Sequence, residues 1–265
     1  MIRSAWLRPV LFLYSLYAML VFVALMLLVF PFVIIASFFG RIRGGNMIFR
    51  LCAVWAGCWF ALVFIRNKKT YEVPHDKSKQ YIFVSNHISY LDAAILPLAF
   101  RQPMRALGKV ELARIPVFGF IYRNAIVTVD RSSAANRALS LKLMQSVIRK
   151  GISVMVFPEG TFNMTGKPVK DFYDGAFRVA IETQTPVKPV LFLDAFDRMH
   201  YSSVFRMSPG RNRIVYLEEI PVDGLTVEDL PVLREKVSAI MSAKLRQYKA
   251  AWINDNAGVS LPPNV

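Results

Sequence analysis

Charge is missing where a soluble protein would carry it. No charged residue occurs from Val10 to Phe39, a second uncharged run covers Leu51–Ile65, and no acidic residue precedes Glu72. Cysteine is scarce too: Cys52 and Cys58, both inside the second apolar run, are the only two. That placement gives neither a disulfide framework nor zinc spacing, so no metal is expected and the thiols read as packing residues within the membrane. No internal repeat, low-complexity tract or long linker is evident. The apolar excess is concentrated at the N-terminus, and the 54% hydrophobic content is high for a cytosolic domain.

The first apolar run is about twice the ~7–15 residues of a signal-peptide core, and no small-x-small cleavage site follows it, so a cleaved signal fits poorly. A helix over Val10–Phe30 would cover the ~30 Å hydrocarbon core, whereas Leu51–Ile65 would reach only about 22 Å. Pro31 offers a kink. Basic residues flank every end: Arg3 and Arg8, then Arg41, Arg43 and Arg50, then Arg66, Lys68 and Lys69. Two helices lodged in one leaflet keep all three clusters on the cytoplasmic side, which two true spans would not; one or two spans remain the alternative. The expected division is a membrane-anchoring helical pair at 1–68 and a globular domain at 69–265. The formal charge of +15 beside such an anchor favours anionic lipid over nucleic acid as the partner.

Beyond the anchor, strand-like runs at Tyr81–Ser85, Ala125–Val129, Ser153–Phe157, Val187–Phe192 and Arg213–Ile220 are separated by helix-like stretches. Pro189 within one of them suggests an edge strand or a bulge. A last amphipathic helix starts near Thr226, with Leu233, Val237, Ile240, Met241 and Leu245 on one face. The alternation predicts an α/β fold with a mostly parallel central sheet flanked by helices, preceded by a membrane-associated two-helix module. In such sheets ligands bind beyond the carboxyl ends of the strands.

The first such end carries "SNHISYLD". His87 and Asp92, five residues apart, would sit roughly 140° apart on a regular helix. They meet only if His87 lies in the strand-to-helix turn and Asp92 in the first helical turns, with Ser89 as a candidate N-cap. The carboxylate would then orient the imidazole and stabilise its protonated form. Neither Ser85 nor Ser89 lies in a nucleophile elbow. If the pair is catalytic, the substrate must bring its own hydroxyl; the ordinary alternative is a histidine making a structural turn contact. In "VMVFPEGT", Glu159-Gly160-Thr161 form a turn at a strand tip, where Gly160 allows close backbone approach and Thr161 suits a phosphate. Lys109 and Arg131 bracket the block "KVELARIPVFGFIYRNAIVTVDR", either as ligand-binding cations or as ordinary surface charges.

Together these blocks resemble the glycerolipid acyltransferase family, in particular the bacterial 1-acyl-sn-glycerol-3-phosphate acyltransferases. Four fall in order: His87–Asp92, Lys109–Arg131, Phe157–Thr161 and "VKPV" at Val187–Val190, within Tyr81–Phe192. The resemblance implies transfer of a fatty acyl group from a thioester of coenzyme A or acyl carrier protein to the free hydroxyl of a lysophospholipid, with no further cofactor. It makes His87 the general base and Asp92 its orienter. Lys109, Arg131, Glu159, Gly160 and Thr161 would bind the acceptor and its phosphate. It also implies an enzyme on the cytoplasmic face of the cell inner membrane. One departure is visible. The family's third block continues with arginine and serine, and here Phe162 and Asn163 stand in their place, so Lys167 or Lys170 would have to reach in, or the acceptor is a less charged lyso-aminolipid such as a lyso-ornithine or lyso-glycine lipid. A non-catalytic lipid-binding protein and a thioester hydrolase are the remaining readings.

Overall fold

The computed structural model describes residues 7–129 and 133–254. Helix α1 (Leu7–Ser37) is a single helix of 31 residues, about 46 Å long at 1.5 Å per residue. The helix runs through Pro31 to Ser37. A short π-helical turn (Gly40–Gly44) reverses the chain into α2 (Gly45–Leu62).

The two helices pack antiparallel, and polar side-chain tips fix their register. The Tyr14 hydroxyl donates to the Val63 carbonyl at 2.5 Å. Trp59 Nε1 donates to Ala18 O at 2.7 Å and Trp55 Nε1 to Phe22 O at 3.1 Å. Each aromatic buries its apolar body while its polar handle finds a carbonyl. The pair is not a free stalk. Ser15 Oγ accepts from the Met207 N–H at 3.0 Å, the Phe12 ring lies 5.6 Å from Phe205, and Phe30 meets Phe120 at 5.8 Å. On the outer side Leu13, Leu20, Leu28 and Phe32 are exposed. By length and composition, α1 and the stretch Gly40–Leu62 are each apolar enough to cross a membrane.

The rest is a seven-stranded sheet in the order β1-β7-β6-β2-β5-β3-β4. Its strands are β1 (Ile65–Tyr71), β2 (Ile82–Ser85), β3 (Met104–Lys109), β4 (Val127–Val129), β5 (Ser153–Val156), β6 (Val187–Phe192) and β7 (Gly210–Tyr216). All pairings are parallel except β6 with β7. The central strands β2, β5 and β6 are buried at every position, which is why they read as largely apolar runs. Around the sheet lie α3 (Leu91–Ala99), α4 (Phe118–Ala125), α5 (Ala134–Ile148), α6 (Gly175–Glu182), α7 (Ala195–Arg198) and α8 (Leu230–Gln247). The 3-10 turn leading into α8 starts at Thr226 with a capping box to Asp229.

Two strands were not expected. β1 carries "RNKK", the stretch that marked the division at 68/69; the helices end at Leu62 and the sheet begins at Ile65, so that division cuts an edge strand. Charged side chains on an edge strand discourage pairing with other chains, and they also hide the strand from a hydrophobicity reading. β3 reads "MRALGK", with Arg105 buried and donating to the carbonyls of Arg41 and Ile42 in the π-helical turn. Pro189 does not lie on an edge, because β6 is interior. It lies instead at a bulge: Leu217 N donates to Pro189 O while Ile220 pairs with Val187, so three steps on one strand oppose two on the other.

Trp59 is 2% exposed and holds both helices together. Trp59→Ala should destabilise the protein by about 3–5 kcal/mol, read as a lowered melting temperature in detergent together with faster proteolysis of α1. An unchanged melting temperature would show that the helix pair is not part of the folded unit.

Candidate active site

The parallel strands β2, β5 and β3 end at one edge of the sheet, and each places a motif residue there. β2 occupies the centre. Beyond Ser85 the chain is locked by Asn86, whose side chain donates to Phe192 O at 2.9 Å and accepts from Phe192 N at 2.9 Å. That two-way clasp continues the β2–β6 ladder for one more residue and aims the next one, His87, out of the sheet. Ser89 caps α3: its Oγ accepts from Leu91 N at 3.0 Å and donates to Met199 O at 2.5 Å.

His87 and Asp92 meet as the spacing required. His87 Nδ1 lies 2.9 Å from Asp92 Oδ2. The same oxygen accepts from the backbone N–H groups of Ile88 at 2.9 Å and Ser89 at 3.0 Å. Asp92 is sealed at 0% exposure, whereas the His87 side chain keeps 23%. A carboxylate can only accept, so Nδ1 carries the hydrogen of the neutral ring and Nε2 presents its lone pair outward. Among the described residues Asp92 is the only side-chain hydrogen-bond partner of the ring. Ser89 Oγ is spent on Met199, and Ser85 is buried. Among the described residues no protein nucleophile stands on the imidazole. Its faces are apolar: Phe157 stacks at 4.1 Å and 13°, and Phe162 meets it edge-on at 4.5 Å.

Glu159 occupies a different place from the one expected. It is 0% exposed, its Oε1 accepts from His87 N at 2.9 Å, and its Oε2 accepts from Lys170 N at 3.0 Å. Both oxygens accept from backbone N–H groups, so Glu159 is a brace joining the turn at His87 to the 159–170 loop. Burial pushes its carboxyl up to about 8, against the pull of the two N–H donors, and the charge of Asp92 adds to the rise. Gly160 follows at φ +72°, a conformation glycine adopts without strain, and it delivers Thr161 to the surface. Asn163, nearly sealed, accepts from Thr165 and donates to Lys167 O, while its backbone N donates to His87 O at 2.7 Å. Asn86 was not expected at the site, since its partner lies far away in sequence and no local pattern announces it; Lys170 was weighed only as a cation that could reach in, and its backbone tie to Glu159 has no local signal.

Lys109 ends β3, exposed, at the same edge. Arg131 lies outside the described residues; Val129, its near neighbour, pairs with Lys109. Between them the chain makes a tight return, where a Cβ on Gly119 would come within 2.3 Å of the Ala113 carbonyl oxygen, which explains the glycine in that block. The "VKPV" block contributes to the core and not to the site. Lys188 is fully buried at the opposite end of the sheet, 3.2 Å from Glu219 and 5.0 Å from the centre of the Tyr81 ring. Among the described residues no cluster of three or more His, Cys, Asp or Glu is arranged to hold a metal ion.

Among the described residues no serine or cysteine stands on the His–Asp pair, an arrangement that suits chemistry in which a substrate supplies the attacking atom. The Acyltransferase family model matches residues 64–193. The chain is 28% identical over 181 residues to the human 1-acyl-sn-glycerol-3-phosphate acyltransferase alpha, covering 64% of this chain and 60% of that protein. It is 30% identical over 175 residues to the mouse counterpart, covering 64% and 60%. It thus spans about three fifths of the length of these relatives. The fold matches the crystal structure of the 1-acyl-sn-glycerophosphate (LPA) acyltransferase from Thermotoga maritima with a TM-score of 0.71 at 23% identity, over 93% of this chain and 98% of that one.

The buried Glu159 carboxyl has a pH signature. Its folded-state value, about 8, lies above the ordinary 4.5, so the folded protein holds a proton that the unfolded chain releases in between. The contribution is fully present below pH 4.5, falls as pH rises through the window, and is gone above about 8. Chemical denaturation in detergent should therefore show stability declining across that range, with a shallower decline in Glu159→Gln. Equal slopes in the two proteins would contradict a buried, proton-holding Glu159.

Proposed function

We propose that the protein is an O-acyltransferase that moves a fatty acyl group from a thioester of coenzyme A or acyl carrier protein to the free hydroxyl of 1-acyl-sn-glycerol-3-phosphate, giving phosphatidate and the free thiol. The observation that carries this reading is the 2.9 Å bond of His87 Nδ1 to the sealed Asp92, with Nε2 left for a substrate and no protein nucleophile beside it among the described residues. Nε2 takes the proton of the acceptor hydroxyl as its oxygen attacks the thioester carbonyl. Asp92 stabilises the resulting imidazolium. Collapse of the tetrahedral intermediate breaks the C–S bond, and the imidazolium proton goes to the departing thiolate. Lys109, Arg131, Gly160 and Thr161 receive the acceptor, with its phosphate held by the cations and backbone N–H groups at this edge.

The reading places the enzyme on a membrane, on the cytoplasmic face of the inner membrane, with α1 and α2 as the anchor and anionic lipid around them. The outward apolar face of α1, and the exposed Leu112 and Ile115 just beyond Lys109, give lipid-facing surface beside the site. Phe162 favours a second acceptor class. Its ring lies against His87 and Tyr90 at 4.5 and 4.8 Å, an apolar wall that also suits a lyso-aminolipid.

His87→Ala should lower acyl transfer by ~10²-fold or more while leaving the protein in the membrane fraction. The assay is thioester-dependent acylation of lysophosphatidate, with lyso-ornithine lipid in competition. A folded His87→Ala protein that retained transfer would refute the assignment. Preferential use of the aminolipid would move the function to the second class.

A further inference from the structure

The turn after Thr161 carries no cation in sequence, since Phe162 and Asn163 follow it. The structure supplies one from elsewhere in the same loop. Lys170 Nζ donates to Thr161 Oγ1 at 2.5 Å, and among the described residues it makes no ion pair. Its backbone is not free to wander. The Glu159 carboxyl that accepts from His87 N also accepts from Lys170 N, so the two main-chain nitrogens lie about 5–8 Å apart across one carboxyl group by ordinary hydrogen-bond geometry. The loop between is closed by Asn163, which ties to His87 O through its own N–H and to Lys167 O through its side chain. Lys167 is the other cation in this loop, but its carbonyl is drawn away by Trp252 Nε1 at 3.2 Å, and no bond fixes its main chain to the Glu159 brace.

We propose that the Lys170 ammonium, together with the Thr161 hydroxyl, is the point that recognises the anionic headgroup of the acceptor, and that the ligand is a phosphomonoester. This rests on the acyltransferase reading above and deepens it. The ammonium's present partner is a neutral hydroxyl, which a phosphate oxygen would replace or share, converting a neutral contact into a charge-assisted one. Thr161 can donate to the same phosphate while accepting from the ammonium, so both groups are satisfied in the complex. The shared Glu159 brace keeps the ammonium at a set distance from the imidazole. The headgroup and the reacting hydroxyl of a small glycerol backbone are then held in one geometry, with Phe162 packed against the ring as an apolar wall.

The test uses the full chain in mixed micelles, with lysophosphatidate as acceptor and a saturating acyl thioester. Lys170→Met should raise KM for lysophosphatidate about 10- to 100-fold, the loss of one charge-assisted contact, while kcat changes less than about 3-fold. Lys170→Arg should recover most of the affinity, and Phe162→Arg placed in the Lys170→Met protein should recover part of it by restoring a cation beside Thr161. A lysine needed only to shape the loop would disturb His87 through the shared brace and lower kcat, and the arginine variants would not restore KM. A KM within 2-fold of the parent, or no rescue by either arginine, would overturn the proposal. If Lys170→Met does not fold, Lys170→Gln and Phe162→Arg in the Lys170→Gln protein take their places, measured the same way and read by the same outcomes. Wild-type turnover separates the two readings. No transfer to lysophosphatidate would overturn the parent reading and this inference together, whereas turnover with an unmoved KM would overturn this inference alone.

Discussion

The bond between His87 Nδ1 and Asp92 Oδ2 sets the requirement that the surrounding structure meets. A neutral imidazole has one donor and one acceptor nitrogen, and the carboxylate decides which is which. For that bond to form, His87 must leave the sheet in a non-helical turn while Asp92 enters a helix. The chain meets this with Asn86 clasping β6, Ser89 capping α3, and two backbone N–H groups converging on the same Asp92 oxygen. Phe157 then fixes the ring plane by stacking. The imidazole is therefore positioned from four directions before any substrate arrives, and little reorganisation is left to the reaction.

Two carboxyls lie sealed beside one imidazole, and their environments separate their roles. Asp92 faces the ring, where a positive charge will develop. Glu159 faces only backbone, and burial with the nearby Asp92 charge holds its proton up to about 8. Burial, with the Asp92 charge adding to it, thus holds Glu159 toward its neutral form, which eases the repulsion between two adjacent buried carboxyls. The brace links His87 to the 159–170 loop, so the group that activates the acceptor and the surface that would receive its headgroup move as one body.

The fold class, the five central and flanking strand runs, the His–Asp pair and the N-terminal helical pair were legible because each rests on a local pattern: short runs rich in apolar and β-branched residues, a fixed short spacing, long uncharged runs. β1 and β3 were not, because an edge strand written "IRNKKTY" and a strand containing a buried Arg105 carry no hydrophobic alternation. Their place in the sheet is decided by partners distant in sequence, β7 for the first and β5 for the second. Glu159 was recognised as a site residue but given the wrong neighbours. Nothing local shows that its carboxyl turns inward to amides 72 and 11 residues away. Pro189 signalled an irregularity correctly, and only the pairing of Val187 with Ile220 shows that it is a bulge inside the sheet.

The most direct test is the tautomer of His87, read by ¹⁵N NMR of the ring nitrogens. With three histidines in the chain, His75→Gln and His200→Gln variants assign the signals. The account predicts, for the neutral ring, a protonated Nδ1 and a bare Nε2, with the preference lost in Asp92→Asn. A neutral His87 protonated at Nε2, or one insensitive to Asp92, would contradict it.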